Sequence, residues 1–199
     1  MNFWDTRYSE SGFSYGSSPN DFLVEAVKYI PRGRVLCIAE GEGRNAVYLA
    51  SLGYDVTAVD SSAVGMEKAS GYAAGRGLHI ETVVSDLADY VIEPAAWDGI
   101  VAVFAHLPPP LREKVHRACV AGLRPEGVFI LEAYTPRQLE YKTGGPPVAE
   151  MLYTPEMLRS DLDGLEFAIF EETVREIHEG KYHNGPGAVI RVAGIKPAY

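Results

Sequence analysis

Two patterns of apolar and polar positions alternate along this chain. Short apolar runs bounded by turn residues are typical of buried strands, whereas apolar residues that recur every three or four positions are typical of helices. The first apolar run, Val35–Ile38, is followed by a glycine-bearing turn, a short helical pattern and a second apolar run that ends at Asp60. This succession predicts a strand, a turn, a helix and a second strand.

The same two patterns predict the remaining elements. A helix is expected to begin at Ser18-Pro19 and end at Pro31, because serine caps helices and proline suits the first helical position. Two late strand-like runs flank a short loop and predict a hairpin. Strands are predicted at 34–39, 55–59, 79–84, 98–104, 127–134, 166–178 and 187–196, and helices at 44–52, 63–76, 109–122 and from Thr154 to Leu162.

Alternating strands and helices predict an α/β fold with a parallel sheet between two layers of helices. Right-handed crossovers favour a doubly wound strand order, and the terminal hairpin adds an antiparallel edge. A chain of 199 residues without a repeat or a long linker is expected to form a single domain, residues 1–199. Residues 1–17 are aromatic and rich in serine and glycine, and we expect a loop or a lid there.

Composition narrows the classes of function. The net charge is -9 and Lys and Arg form no run, which argues against nucleic acid as a partner. No apolar stretch is long enough for a membrane span, and the first residues lack the order of a signal peptide. Cys37 and Cys119 lie far apart and outside any CxxC motif. We therefore expect a cytoplasmic protein in a reduced setting; the sequence does not indicate its oligomeric state.

The turn after the first strand predicts a nucleoside site. Ligands of open α/β sheets bind beyond the carboxyl ends of the strands, where glycine lets the backbone approach them. Asp60 lies 19 residues after Gly41, a spacing that suits a carboxylate bound to both ribose hydroxyls. A dinucleotide would require three glycines, but only Gly41 and Gly43 are present. Glu40 and Glu42 would repel a pyrophosphate and would suit S-adenosylmethionine (SAM), which carries a sulfonium and an ammonium.

Several motifs resemble those of class I SAM-dependent methyltransferases. Within this class, they are most similar to those of a group of small prokaryotic proteins related to tellurite resistance and thiol methylation. Asp86-Leu87 resembles the acid and apolar neighbour after the third strand. Glu176-Ile177-His178, with His183 in the hairpin, resembles a C-terminal Glu-x-His segment. The other motifs are G-R-N-A-x-Y-L-A at 43–50, G-Y-D-V-T-A-V-D at 53–60, F-A-H-L at 104–107, L-R-P-E-G-V-F-I-L-E at 123–132, and the lid motifs W-D-x-R-Y at 4–8 and Y-G-x-x-P-N at 15–20.

This resemblance implies a Rossmann-like, doubly wound, mostly parallel seven-stranded sheet of order 3-2-1-4-5-7-6 with an antiparallel strand from the C-terminal hairpin. It also implies methyl transfer from SAM to a small-molecule nucleophile such as a thiol or a chalcogen oxyanion. The product is S-adenosylhomocysteine (SAH), and no metal is expected. The class usually has an acid at the position of Cys37 and a glycine at that of Ala39. We therefore expect Glu40 to contact the ammonium of SAM.

The resemblance also implies roles for individual residues. Asp60 would hold the ribose, Asp86 the adenine amino group, and the 104–107 segment the methionine end. His106 and His178 are the candidate catalytic bases, needed for a hydroxyl or amine acceptor but not for a thiolate. The residues expected to contact the cofactor are Tyr15, Glu40, Gly41, Gly43, Asn45, Asp60, Ser61, Asp86, Leu87, Phe104, Ala105 and His106.

Three other features concern the neighbourhood of the site. Arg44 is expected to neutralise Glu40 and Glu42. Trp4, Tyr8 and Tyr15 are expected to close over the cofactor, since a cation gains about 0.5–2 kcal/mol over an aromatic face. The stretch from Tyr134 to Met151 is long for a connection and is expected to carry acceptor specificity.

Two alternatives remain open. One is a non-catalytic SAM-binding regulatory protein, which would bind SAM but show no turnover. The other is a nicotinamide-dependent oxidoreductase, which would need a third turn glycine and a catalytic tyrosine–lysine pair. Tyr141 and Lys142 are adjacent, and adjacent residues do not share one helical face.

Overall fold

The computed structural model describes residues 2–198. Seven strands form one sheet in the order β3-β2-β1-β4-β5-β7-β6. The strands are β1 (Arg34–Ile38), β2 (Asp55–Asp60), β3 (Glu81–Val84), β4 (Trp97–Val103), β5 (Leu123–Tyr134), β6 (Glu166–Glu179) and β7 (His183–Ile195). The helices are α1 (Phe3–Tyr8), α2 (Asp21–Ala26), α3 (Arg44–Ser51), α4 (Ala63–Gly75), α5 (Pro109–Gly122), α6 (Gln138–Tyr141) and α7 (Pro155–Asp161).

The sheet has the predicted topology. Strands β1 to β5 pair in parallel, whereas β7 runs antiparallel to β5 and β6 runs antiparallel to β7. Alternation along β1 divides its side chains between two apolar cores: Leu36 and Ile38 face one, and Val35 and Cys37 face the other. Both cores are covered by helices, so the prediction of a doubly wound α/β fold with an antiparallel edge is confirmed.

Some boundaries differ from the prediction for local reasons. Helix α2 begins after Asn20, whose side chain accepts the N–H of Leu23, and not at Ser18-Pro19. Strand β5 begins at Leu123, before the Pro-Gly turn, because this end also pairs with Trp97 of β4. The N-terminal segment contains a helix, α1, stabilised by a reciprocal capping box between Asn2 and Asp5.

The parallel strands end at one edge of the sheet, where two residues take a strained backbone conformation. Ala39 follows β1 with φ of 49°, and Phe104 follows β4 with φ of 52°. A left-handed conformation costs a non-glycine residue about 1–2 kcal/mol. Such strain concentrates at functional sites. The position of Ala39 therefore has the geometry for which a glycine is the usual choice.

Three further observations concern the described part of the chain. Cys37 and Cys119 are buried and unpaired, and burial raises the pKa of both thiols. Between residues 2 and 198, no helix combines the length and the apolar character that crossing a membrane requires. Over the same residues, no three His, Cys, Asp or Glu side chains are grouped so that they could hold a metal ion.

Candidate active site

A cleft of about 1480 Å³ lies at the carboxyl edge of the sheet. The strand ends form its floor, and its walls come from the N-terminal segment, the stretch after β5 and the tip of the β6–β7 hairpin. Of the twelve residues expected to contact the cofactor, only Gly43 does not line it. The eleven that do are Tyr15, Glu40, Gly41, Asn45, Asp60, Ser61, Asp86, Leu87, Phe104, Ala105 and His106.

Asp60 ends β2 inside the cleft, and backbone amides hold its carboxylate. Oδ2 accepts the N–H of Gly41 and Oδ1 that of Ser62, both at 2.9 Å. Burial raises the pKa of Asp60, and these amides oppose the rise. A carboxylate has about four acceptor positions, so two remain for ribose hydroxyls. The cap of α4 comes from Ser62, whose hydroxyl accepts the N–H of Gly65.

Glu40 presents a second carboxylate to the cleft. Its Oε1 accepts the N–H groups of Asn45 and Ala46, at 2.9 and 2.8 Å, and so caps the N-terminus of α3. Within residues 2–198, Oε2 has no hydrogen-bond partner. Burial raises the pKa of Glu40 to about 7, although the amides of Ala46 and Asn45 and the charge of Arg44 oppose the rise. The free oxygen therefore fits a cationic group such as the ammonium of SAM.

The turn's other acid and the following arginine have roles that differ from the prediction. Glu42 does not keep a free carboxylate for a cation: Oε1 lies 2.8 Å from Nζ of Lys68, and Oε2 accepts the N–H of Ser14 at 2.7 Å. Arg44 does not pair with either turn acid. Its Nη2 lies 2.6 Å from Oε2 of Glu179, because the first turn of α3 faces the β6–β7 hairpin.

The two turn glycines make room for protein atoms. Both have positive φ, 65° at Gly41 and 88° at Gly43. A Cβ at Gly43 would lie 2.6 Å from that of Ala69, and one at Gly41 would lie 2.6 Å from the hydroxyl of Tyr8. The turn therefore approaches α4 at Gly43 and α1 at Gly41, and Gly41 lines the cleft as well. Gly43 consequently lies outside the cleft lining.

On the cofactor side of the cleft, the side chains of Asn45 and Asp86 accept hydrogen bonds from backbone N–H groups and so stabilise loops. The side-chain oxygen of Asn45 accepts the N–H of Asn20 at 2.9 Å, which ties α3 to the start of α2. Asp86 accepts the N–H of Ala88 at 2.8 Å and so closes the turn after β3. Leu87 is buried beside it. Asn45, which was expected to contact the cofactor, therefore also braces the turn.

His106 lies in the cleft wall, but neither ring nitrogen is free. Nδ1 lies 2.8 Å from the carbonyl oxygen of Met151, and Nε2 accepts the N–H of Tyr134 at 3.2 Å. Burial lowers the pKa of His106 to about 4. Because both ring nitrogens are hydrogen-bonded to backbone groups, the ring has no free lone pair to accept a proton from a substrate. The geometry thus argues against the expected role of His106 as a base and makes it an anchor between β5 and the stretch that follows.

His178 does not reach the cleft. In β6 the side chains of Ile177 and Glu179 are buried, so His178 between them is exposed on the opposite face. His183, five residues later at the start of β7, is buried and lines the cleft. The histidine that the hairpin brings to the site is therefore His183. The alternation around the apolar Ile177 is the sequence signal that identifies the outward position of His178.

Aromatic residues of the N-terminal segment line the open side of the cleft. Trp4 stacks on Tyr8 with ring centroids 5.6 Å apart, and Tyr8 meets Tyr15 edge to face at 6.4 Å. Arg7 donates to the hydroxyl of Tyr15 at 3.2 Å, and its guanidinium lies 3.7 Å from the ring centroid of Tyr182. These contacts join the N-terminal segment to the β6–β7 hairpin, so two distant parts of the chain cover the site together.

The fold is that of a Rossmann-like α/β protein, and its cleft lies at the carboxyl edge of the sheet. Residues 35–127 match the model of a family described as a methyltransferase domain, Methyltransf_25. The matched segment is just under half of the chain, and over it the protein is similar to that family.

Two curated relatives are methyltransferases. The chain is 28% identical over 134 residues to 2-heptyl-1-hydroxyquinolin-4(1H)-one methyltransferase of Mycobacteroides abscessus, a match that covers 63% of this chain and 59% of that protein. It is 31% identical over 137 residues to glycine/sarcosine N-methyltransferase of Halorhodospira halochloris, covering 65% and 47%. The matches thus span about half the length of these relatives.

Solved structures share the fold over nearly the whole chain. One, concerned with conversion of a disulfide bond into a thioacetal group during echinomycin biosynthesis, is 19% identical with a TM-score of 0.78 and covers 98% of this chain and 88% of its own. TehB from Haemophilus influenzae is 20% identical with a TM-score of 0.74, covering 98% and 66%. At such identities the likeness concerns the fold, and it does not assign the chain to the tellurite-resistance group.

Proposed function

We propose that this protein is a SAM-dependent methyltransferase that acts on a small-molecule nucleophile. The observation that carries the proposal is the pair of carboxylates on either side of one glycine turn. Asp60 has two free acceptor positions for a ribose, and Glu40 has a free oxygen for an ammonium. Bound in this way, SAM supplies an electrophilic methyl group beside the 104–107 segment. Proximity and alignment contribute much of the rate of such a transfer.

The chain's own residues hold and enclose this arrangement. The N-terminal segment covers the cofactor side with Trp4, Tyr8 and Tyr15, whose faces suit a sulfonium. Asp86 at the end of β3 is our candidate for the adenine amino group, with Leu87 and Ser61 beside it.

The acceptor side has a predominantly apolar wall, which favours an acceptor with an apolar or aromatic body. The two arginines nearby are engaged: Arg44 pairs with Glu179, and Arg7 with Tyr15 and Tyr182. Lys142 also lines the cleft and has no ion-pair partner among residues 2–198, so it is the one side chain here that would favour an anionic acceptor. The apolar wall as a whole makes a thiol or another protonated nucleophile the better candidate. The apolar lining consists of Val103, Phe104, Ala105, Leu107, Pro108, Leu111, Leu139, Pro146, Pro147 and Met151.

Calorimetric titration with SAM, SAH and NADH tests the cofactor. We expect SAM and SAH to bind and NADH not to bind; the opposite pattern would overturn the proposal. SAH release is then measured over thiols, hydroxyaryl compounds, selenite and tellurite. We expect turnover with apolar thiols or hydroxyaryl compounds. SAM binding without turnover on every acceptor would favour the non-catalytic regulatory protein.

A further inference from the structure

His183 occupies a box of aromatic rings on the acceptor side of the cleft. Its ring centroid lies 4.6 Å from that of Tyr15, 4.7 Å from that of Phe104 and 5.4 Å from that of Tyr134. The loop after α6 closes the box, since a Cβ at Gly144 would lie 2.8 Å from Cδ2 of His183. These contacts fix the orientation of the ring.

The two nitrogens of His183 have different surroundings. Nδ1 is fully buried without a hydrogen-bond partner and lies 3.9 Å from Oε2 of Glu179. A carboxylate facing one nitrogen favours the tautomer that carries the proton there. In the described part of the chain Nε2 makes no hydrogen bond, and it is not among the fully buried unpaired atoms. Its lone pair is therefore available to the cleft.

Burial, more than the charges around it, keeps the ring of His183 neutral in the resting protein. Burial lowers the pKa of His183, the carboxylate of Glu179 raises it, and Arg44 and Arg175 lower it. Burial also acts on Glu179, but contacts with His183 and the two arginines hold the pKa of its carboxyl well below the usual range. Glu179 is thus charged at neutral pH and faces the nitrogen opposite the cleft. The other titratable groups packed nearby are His106, Tyr15 and Tyr134.

We infer that His183 accepts the proton of the methyl acceptor, with Glu179 as the positioning residue behind it. This inference rests on the proposed methyl transfer. The acceptor group X–H gives its proton to Nε2, and the electron pair of that bond forms the new bond from X to the methyl carbon. The pair of the carbon–sulfur bond returns to sulfur, which leaves a neutral thioether. The imidazolium is stabilised by Glu179 until the proton leaves to water.

This role defines the acceptors that the site takes. They carry a nucleophile that is protonated at neutral pH, such as an alkyl thiol or a weakly acidic hydroxyl. A nucleophile that is already ionised requires no base, so its methylation is expected to be insensitive to His183. The dependence of the rate on acceptor acidity therefore distinguishes a proton acceptor from a residue that only shapes the wall.

The test compares His183→Gln with the wild-type protein on thiols of graded acidity at about pH 7.5. General base catalysis contributes about 10²–10⁴-fold, so we expect kcat for unionised alkyl thiols to fall by about 10²-fold or more. For aryl thiols that are ionised at this pH, we expect a loss below about tenfold. His178→Gln, on the outer face of the same hairpin, is the matched control. SAH affinity of both variants, measured by calorimetry, is expected to equal that of the wild type.

Two results would overturn the inference while sparing the proposed function. One is an equal loss for ionised and unionised thiols in His183→Gln, and the other is full activity of that variant. A wild-type protein that binds SAH but methylates nothing in the panel would overturn both proposals. If His183→Gln does not fold, the wild type alone decides: long-range proton–nitrogen NMR should show a neutral ring with its proton on Nδ1 at neutral pH. A proton on Nε2 would contradict the inference.

Discussion

Lys68 of α4 lies 2.8 Å from the buried carboxylate of Glu42, measured from Nζ to Oε1. The same ammonium donates to the carbonyls of Glu10 and Gly12, and the other oxygen of Glu42 accepts the N–H of Ser14. This charge pair therefore joins the N-terminal segment to the glycine turn. The loop after α1 is also held by the β6–β7 hairpin, through Lys181, and by α4, where the ring of Phe13 packs on that of Tyr72.

Replacing Lys68 by alanine is expected to loosen this segment. It leaves the carboxylate of Glu42 buried without its partner, which costs about 1–3 kcal/mol. We expect a lower Tm, faster proteolytic cleavage between residues 9 and 17, and weaker SAH binding. Lys28→Ala, an exposed lysine on the short helical turn after α2, is the control. Unchanged cleavage in Lys68→Ala would show that other contacts hold the segment.

Asp60→Asn tests the ribose contact. Asparagine keeps the shape of the side chain but loses the charge that strengthens hydrogen bonds. Such bonds contribute about 1.5–3 kcal/mol each, so we expect SAH affinity to fall by about 10- to 100-fold. Calorimetry measures this, with Asp55→Asn at the exposed start of the same strand as the control. Equal affinity in Asp60→Asn and the wild type would exclude the contact.

Glu40 makes cofactor affinity dependent on pH. Burial raises the pKa of Glu40 to about 7, so the side chain is neutral below this pH and charged above it. An ammonium binds the charged form, and SAM affinity is therefore expected to rise between about pH 6 and pH 8. Glu40→Gln should bind SAM weakly with little change over this range. An unchanged pH dependence in the variant would assign the titration to another group.

Glu40→Gln is expected to weaken SAM binding but not to destabilise the protein without ligand at high pH. A carboxyl whose pKa is raised by folding binds protons more tightly when folded, so its contribution to stability is lost as pH rises through about 7. Without ligand, Glu40→Gln should therefore have a Tm at about pH 8 that equals or exceeds that of the wild type. Thermal unfolding at about pH 5 and pH 8 checks the sign.

Tyr153→Phe tests how the 104–107 segment is held. The Tyr153 hydroxyl donates to the carbonyl of Ala105 at 2.5 Å and accepts the N–H of Leu107 at 3.0 Å. Phenylalanine would leave both backbone groups unpaired, at about 1–3 kcal/mol each, and so lower the Tm. Since the segment borders the acceptor, we also expect a higher KM for the acceptor with SAH affinity unchanged. An unchanged Tm would show that water replaces the hydroxyl.

The sequence predicted the sheet well because its signals are local. The strand at Val35–Ile38 and the helix predicted at 63–76, which is α4, follow from periodicity alone. The order of the strands followed from a resemblance, since pairing between distant strands leaves little trace in a single sequence. Boundaries failed where a distant contact decided them, as at Leu123, which pairs with Trp97.

The site was predicted less completely for the same reason. The turn acids were identified from their position in the chain, but their partners lie far along it. Glu42 pairs with Lys68 and Arg44 with Glu179, separations of 26 and 135 residues that periodicity does not report. Of the two histidines predicted to be catalytic bases, only one required the structure to correct its role. His106 required knowledge of its backbone partners, whereas the outward position of His178 follows from strand alternation.

The cleft is built from segments that lie inside the family match and from segments that lie beyond it. The family match ends at residue 127, before the 138–147 stretch and the His183 end of the hairpin that line the acceptor side. Substitutions in these later segments leave the glycine turn and Asp60 intact. The similarity to known methyltransferases over residues 35–127 therefore bears on the proposed cofactor, whereas the proposed acceptor depends on segments that this match leaves out.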